Sequence, residues 1–152
     1  MTLSLQEISD RLELEDLLHA YTDCIDTKSF DGLRDIFTED AHVDYSATGG
    51  AVGDLESTIR FLKEALTLFP ATQHMMGNIR LQITDDAATG RSICLNPMSV
   101  EKDEQQQQFF LGFWYEDEFV RTAMGWRIRR RRQVASWQFN TPDFLLPSSL
   151  AY

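Results

Sequence analysis

From Thr72 to Phe139 the chain reads as four strand-like segments in succession, roughly 72–84, 87–100, 109–122 and 126–139. Apolar and polar residues alternate along them. Asp85-Asp86 and Ala123-Met124-Gly125 supply tight turns, and a polar stretch around Lys102 to Gln107 supplies a longer hairpin. A meander of this length has to bury one face, and the first half of the chain offers the cover. Ser4-Leu5-Gln6-Glu7 reads as a capping box. Behind it Leu5, Ile8, Leu12, Leu18, Tyr21 and Ile25 recur at helical spacing and predict one helix from about Leu5 to Asp26, with that stripe facing a core. Ser29 caps a short helix over Phe30 to Phe37. Thr38-Glu39-Asp40 reads as a turn and His42 to Ser46 as a strand. Asp54 caps a third helix that runs to about Phe69. The fold class is therefore α+β, with three N-terminal helices packed on a curved, mostly antiparallel sheet. Long strands that curl under helices leave a cone-shaped barrel enclosing a pocket. The domain spans 1–139, and 140–152 form a tail that is apolar between Pro142 and Pro147.

Size and charge narrow the function. A chain of 152 residues fits one domain with a real core. Its formal net charge of −10 argues against nucleic acid and anionic membrane as partners. The one basic run, Arg127 and Arg129 to Arg132, lies in a strand and points to both faces. Cys24 and Cys94 are far apart and show no metal spacing, so both read as small buried residues or free thiols. No two histidines fall at metal-ligand spacing, so no metal or other cofactor is expected. There is no apolar run of membrane-spanning length and no secretion signal, which makes a soluble, cytoplasmic protein the default. Three glycines in Thr48 to Gly53 invite a phosphate-cradle reading, but the lysine and spacing of a P-loop are missing, and a flexible connection accounts for them.

The stretch Pro70 to Asn78 follows a helix-stopping proline and opens a strand. Alternation puts His74, Met76 and Asn78 on one face, and Met75, Gly77, Ile79 and Leu81 on the other. His74 is thus either a satisfied interior residue or a proton-transfer group. His19 and His42 sit beside acidic residues and read as surface positions. Asp26 is the candidate partner of His74. A carboxylate bonded to one ring nitrogen fixes the tautomer and makes the other a better base. Asp26 lies off the apolar stripe of its helix, so it turns inward only if the helix ends there, and Thr27-Lys28-Ser29 is a plausible end. Tyr21 or Tyr45 would polarise a carbonyl. On the last strand alternation groups Trp126, Ile128, Arg130 and Arg132. Trp126 and Ile128 mark that face as inner, which puts Arg130 on the pocket wall as an anion-stabilising donor. The expected pocket lining is Met76, Asn78, Trp126 and Ile128.

The combination of Tyr21 and Asp26, Ala41-His42-Val43-Asp44-Tyr45-Ser46, Thr72-Gln73-His74-Met75-Met76-Gly77-Asn78, Tyr115-Glu116-Asp117-Glu118 and Gly125-Trp126-Arg127-Ile128 resembles the SnoaL-like families of the nuclear transport factor 2-like superfamily. The resemblance covers about Leu5 to Phe139. It implies an α+β cone with a deep pocket, in which the first helix ends near Asp26. Asp26 and His74 are similar to the Asp–His dyad of scytalone dehydratase, bile acid 7α-dehydratase and hexachlorocyclohexane dehydrochlorinase. Tyr21 is similar to a tyrosine of the bile acid enzyme, Tyr45 to a carbonyl-polarising tyrosine of scytalone dehydratase, and Arg130 to the dehydrochlorinase's pocket arginine. The implied activity is that of a cofactor-independent, dehydratase-like lyase or isomerase. Its substrate would be a mainly apolar cyclic carbonyl compound such as a steroid, polyketide or aromatic intermediate. The alternative within the same superfamily is a non-catalytic ligand-binding or assembly domain, like a ring-hydroxylating dioxygenase β subunit. The resemblance also implies a homo-oligomer, trimer or dimer, with the tail as a lid or subunit contact.

Overall fold

The structure is a computed structural model that describes residues 2–102 and 104–145. Helix α1 spans Leu5–Asp26, and Ser4 caps it by accepting the Glu7 amide at 3.1 Å. Strand β1 (Phe37–Asp44) and the short β2 (Val52–Asp54) lead into α2 (Leu55–Ala65), where Asp54 accepts the Ser57 amide at 2.7 Å. Then come β3 (Ala71–Thr72), β4 (Met75–Thr84), β5 (Ala87–Lys102), β6 (Gln105–Thr122) and β7 (Gly125–Phe139). They make one seven-stranded sheet in the order β2-β1-β7-β6-β5-β3, with β4 also paired to β5. All pairings are antiparallel except β1 with β7, and the curved sheet stays open. The α+β class and the meander are as the alternation predicts.

Local details differ. The expected helix over Phe30 to Phe37 is a 3₁₀ turn, Phe30–Asp35, and Ser29 makes no side-chain cap. The expected turn at Thr38-Glu39-Asp40 is part of β1. The third helix stops at Ala65 and tightens into a 3₁₀ turn at Leu66–Leu68. The expected stripe on α1 holds only for its second half. Leu14, Leu18, Tyr21 and Ile25 are buried, while Leu5 is 87% and Leu12 59% exposed, and Ile8 is exposed too. Along the first turns of α1, at about 100° per residue, Leu5 and Leu12 fall nearly opposite Leu14 and so point away from the sheet. The inward group there is Asp10, which accepts from Arg121 at 2.8 Å, from Trp126 Nε1 at 3.1 Å and from Gln6 at 3.1 Å.

Bulges on β4 and β7 decide which of their side chains face the core. Between the Phe119↔Ile128 and Glu118↔Arg130 pairs, β7 carries one extra residue, Arg129. An extra residue reverses the alternation of everything after it. A second extra residue, Ser136, sits between Ala135 and Trp137. On β4 the Gly77↔Ile93 and Arg80↔Arg91 pairs leave Asn78 and Ile79 opposite Ser92, and Asn78 adopts φ 46°. Asparagine tolerates this left-handed conformation better than most residues. The core lies between the inner face of the sheet and the helices, around Leu14, Leu33, Val43, Ile59, Phe109 and Phe113. Among the described residues no helix is long and apolar enough to cross a membrane.

Candidate active site

Helix α1 ends at Asp26, with Thr27 as its cap and Lys28 in the left-handed region at φ 59°. Lys28 Nζ then bonds the Phe69 carbonyl at 2.9 Å, tying the helix end to the segment before β3. The regular pairing of the next strand is interrupted at Gln73 and His74, between β3 and β4. The two interruptions meet. Asp26 Oδ2 accepts the His74 backbone amide at 2.7 Å, and Oδ1 lies 2.6 Å from His74 Nδ1. One carboxylate thus fixes both the main chain and the ring. The His74 side chain is 6% exposed and that of Asp26 21%. Nε2 of His74 has no partner among the described residues, and the ring lines a cavity of about 120 Å³.

Three phenols line the same cavity as His74. Tyr21 on α1 and Tyr45 just after β1 bring their hydroxyls to 2.6 Å, and the Tyr115 hydroxyl of β6 lies 3.3 Å from that of Tyr21. Burial holds all of these phenols protonated, raising Tyr21 above the usual tyrosine range and Tyr45 and Tyr115 well above it. They are donors, not bases. Apolar groups close the remainder, among them Ile25, Phe61, Leu66, Phe69 and Met98.

Beneath the phenols lies an unforeseen residue, Arg131, which has no solvent exposure. Its guanidinium sits 4.0 Å from the ring centres of both Tyr21 and Tyr115 and makes two 2.8 Å bonds to Asp117. It stays charged despite its burial, because Asp117 offsets the cost of desolvation. Arg130 is the correction. The bulge at Arg129 turns Arg130 to the outer face of the sheet, where it is exposed and lines an open, charged depression of about 580 Å³ with Arg91, Glu116 and Glu118. That larger depression holds neither the dyad nor the phenols.

The expected lining is also redistributed. Asn78 is exposed, because its bulge gives the inward positions to Ile79 and Leu81. Met76 is packed against the core without reaching the cavity. Ile128 is buried core. Trp126 sits at the other end of β7 and pins α1 through Asp10. The true polar lining, Thr48, Asn96, Tyr115 and Gln133, went unread. Continuing the alternation of Phe113, Tyr115, Asp117 and Phe119 would have found Tyr115. The glycine loop after β1 forms part of the rim, with Gly49 at φ 81°. Cys94 is buried, which pushes its thiol up to about 12. Among the described residues no group of three His, Cys, Asp or Glu side chains could hold a metal ion.

The profile of the SnoaL-like domain matches residues 6–132. The chain belongs to this family. An uncharacterized protein of Mycobacterium tuberculosis shares 46% identity with this SnoaL-like protein over 136 residues, which is 90% of this chain and 92% of the relative. A proposed scytalone dehydratase from Novosphingobium aromaticivorans superposes with a TM-score of 0.79 over 89% of both chains, at 20% identity. A type 2 hexachlorocyclohexane dehydrochlorinase superposes with a TM-score of 0.80 over 96% of this chain and 99% of its own, at 17% identity. Other neighbours carry the nuclear transport factor 2-like name. At these identities the superpositions show that the SnoaL-like protein shares their fold.

Proposed function

We propose that this protein is a cofactor-independent lyase or isomerase of the dehydratase type, acting on a mainly apolar cyclic carbonyl compound. The observation that carries the reading is the clasp of Asp26 on both the amide and Nδ1 of His74, which leaves Nε2 without a described partner on a residue that lines the cavity. Nε2 takes the proton from a carbon next to the carbonyl, and the C–H electron pair moves into an enolate. A hydroxyl of the Tyr21–Tyr45 pair donates to the enolate oxygen. Arg131, stacked on the Tyr21 ring, favours that donation by pulling the phenol towards greater acidity against the effect of burial. The enolate then expels a hydroxyl from the β carbon, which leaves as water with the proton held by His74. Without a leaving group, return of the proton at another carbon gives isomerisation. The dehydratase and dehydrochlorinase names of two neighbours support a reaction of this class. A homo-oligomer is part of the same proposal, supported by the exposed Ile93, Trp137 and Phe139 on the sheet.

The test is a panel of cyclic ketones incubated with the protein in D₂O and read by mass. The wild type is expected to place deuterium next to the carbonyl or to release an unsaturated product. His74→Ala is expected to slow this by about 10²–10⁴-fold while keeping its fold. Binding across the panel with neither exchange nor elimination would replace the enzyme with a ligand-binding domain.

A further inference from the structure

The cavity's hydroxyls form a chain that continues beyond the residues used above. Gln133 on β7 donates from Nε2 to the Tyr115 hydroxyl oxygen at 3.3 Å. The amide oxygen of Gln133 in turn accepts the Thr48 hydroxyl. Thr48 and Gln133 both line the cavity, and Thr48 belongs to the 3₁₀ turn Ser46–Thr48 on its rim.

With the Gln133 amide donating to the phenols, protons can be counted along the chain. A phenol carries one proton, and a primary amide has donors on nitrogen only. Three phenols share two bonds, so with Gln133 donating to Tyr115, a run from Tyr115 to Tyr21 and from Tyr21 to Tyr45 at 2.6 Å uses two of the three phenol protons. The Tyr45 proton is then left over, since no described residue accepts it. The last hydroxyl of the chain therefore presents a donor to whatever fills the cavity. We propose that Gln133 and Tyr115 are positioning residues that set the polarity of a Thr48–Gln133–Tyr115–Tyr21–Tyr45 relay, so that the cavity selects ligands bearing a hydrogen-bond acceptor, a carbonyl or enolate oxygen, over the matching alcohols. The proposal rests on the carbonyl reading above and deepens it, because it names the group that the phenol wall reads.

Reversing the relay tests it. In Gln133→Glu the side chain keeps its shape and only accepts. Tyr115 then donates to residue 133, Tyr21 to Tyr115 and Tyr45 to Tyr21, and no proton is left for the ligand. The probes are 1-indanone and 1-indanol, which differ at one oxygen, titrated against the full chain by calorimetry and thermal shift. The wild type is expected to prefer the ketone by about fivefold to tenfold, the factor that one neutral hydrogen bond carries. Gln133→Glu is expected to abolish or invert that ratio, and Gln133→Asn or Gln133→Leu to shrink it. If Gln133→Glu does not fold, Tyr115→Phe reads the same link, since it detaches Gln133 from the Tyr21–Tyr45 pair and the ratio should fall. The ratio within one variant is insensitive to a general loosening of the site. Equal affinities in the wild type, a preference for the alcohol, no ketone binding, or an unchanged ratio in both Gln133→Glu and Tyr115→Phe overturns the relay. Ketone preference with no deuterium exchange would instead sink the catalytic reading and leave the relay standing.

Discussion

A guanidinium with no access to solvent is tolerable only when its charge is met at close range. Arg131 meets that condition with two bonds to Asp117 and two aromatic faces. Removing one partner of such a pair leaves the other buried and uncompensated, whereas removing both does not. Arg131→Met is therefore expected to destabilise the protein by about 3–5 kcal/mol. Adding Asp117→Leu to it should recover a large part of that loss, since an ion pair replaced by apolar groups is often neutral. Denaturant melts of the two singles and the double would read the cycle, and singles whose losses simply add would show that the pair is not coupled. The same residue marks where the sequence stops being readable. Strict alternation from Trp126 and Ile128 points to Arg130, and a single unpaired residue, Arg129, moves the inward position to Arg131. Five of the residues from 127 to 132 are arginine, so nothing in the side chains distinguishes the inward one. The dyad was legible for the opposite reason. Asp26 and His74 each stand where one element ends and another begins, and helix stops and prolines are visible in a sequence.

At the scale of elements, the strands and the helix starts were legible because alternation and capping are local. The bulges, and the choice of which face of α1 meets the sheet, were not, because they depend on how two segments meet. Leu5, Ile8 and Leu12 have helical spacing among themselves, yet at about 100° per residue Leu5 and Leu12 fall nearly opposite Leu14, and Asp10, one turn before Leu14, is the buried residue of those turns. Asp10 joins α1 to the β6–β7 hairpin through Arg121 and Trp126. Its bond to Arg121, followed by those to Trp126 and Gln6, outweighs the effect of burial and lowers its pKa to about 2. The unfolded value is near 3.9. A carboxylate depressed in the fold stabilises it above the unfolded pKa, and that share is lost as pH falls from about 4 towards about 2. Asp10→Asn should thus melt lower than the wild type at pH 7, by about 2–3 kcal/mol for a pair between the exposed and buried limits. The gap should close as the pH drops through that window. A constant gap between pH 7 and pH 2 would place the effect in packing rather than in the charge.

For the whole molecule, the volume of the cavity sets a constraint. About 120 Å³ is well below the roughly 300–1,000 Å³ of a small-molecule pocket. A cyclic substrate of the proposed class therefore needs part of the wall to yield. The tail is the candidate, because Leu145 is part of that wall. After β7 the chain turns at Asn140, with φ 53°, and Pro142 is buried. The Phe144 ring stacks on Phe69 with centres 6.5 Å apart, and Leu145 reaches the cavity wall. Leu146 and Pro147, also expected in this apolar stretch, lie outside the described residues. Phe69 lines the cavity as well, so the tail packs on a residue of the cavity wall. A segment placed this way would admit the ligand by leaving and exclude water by returning, which strengthens the bonds around His74. A chain ending at Asn140 is expected to bind 1-indanone with a faster association rate and a faster dissociation rate, measured by stopped-flow. Leu145→Ala should move both in the same direction by a smaller factor, since one partly buried leucine is worth at most about 1.5–3 kcal/mol. Light scattering on the shortened chain separates the two readings of the tail. A fall in mass would make it a clasp between subunits. Faster rates at unchanged mass would make it a lid, and unchanged rates at unchanged mass would leave the tail no part in either.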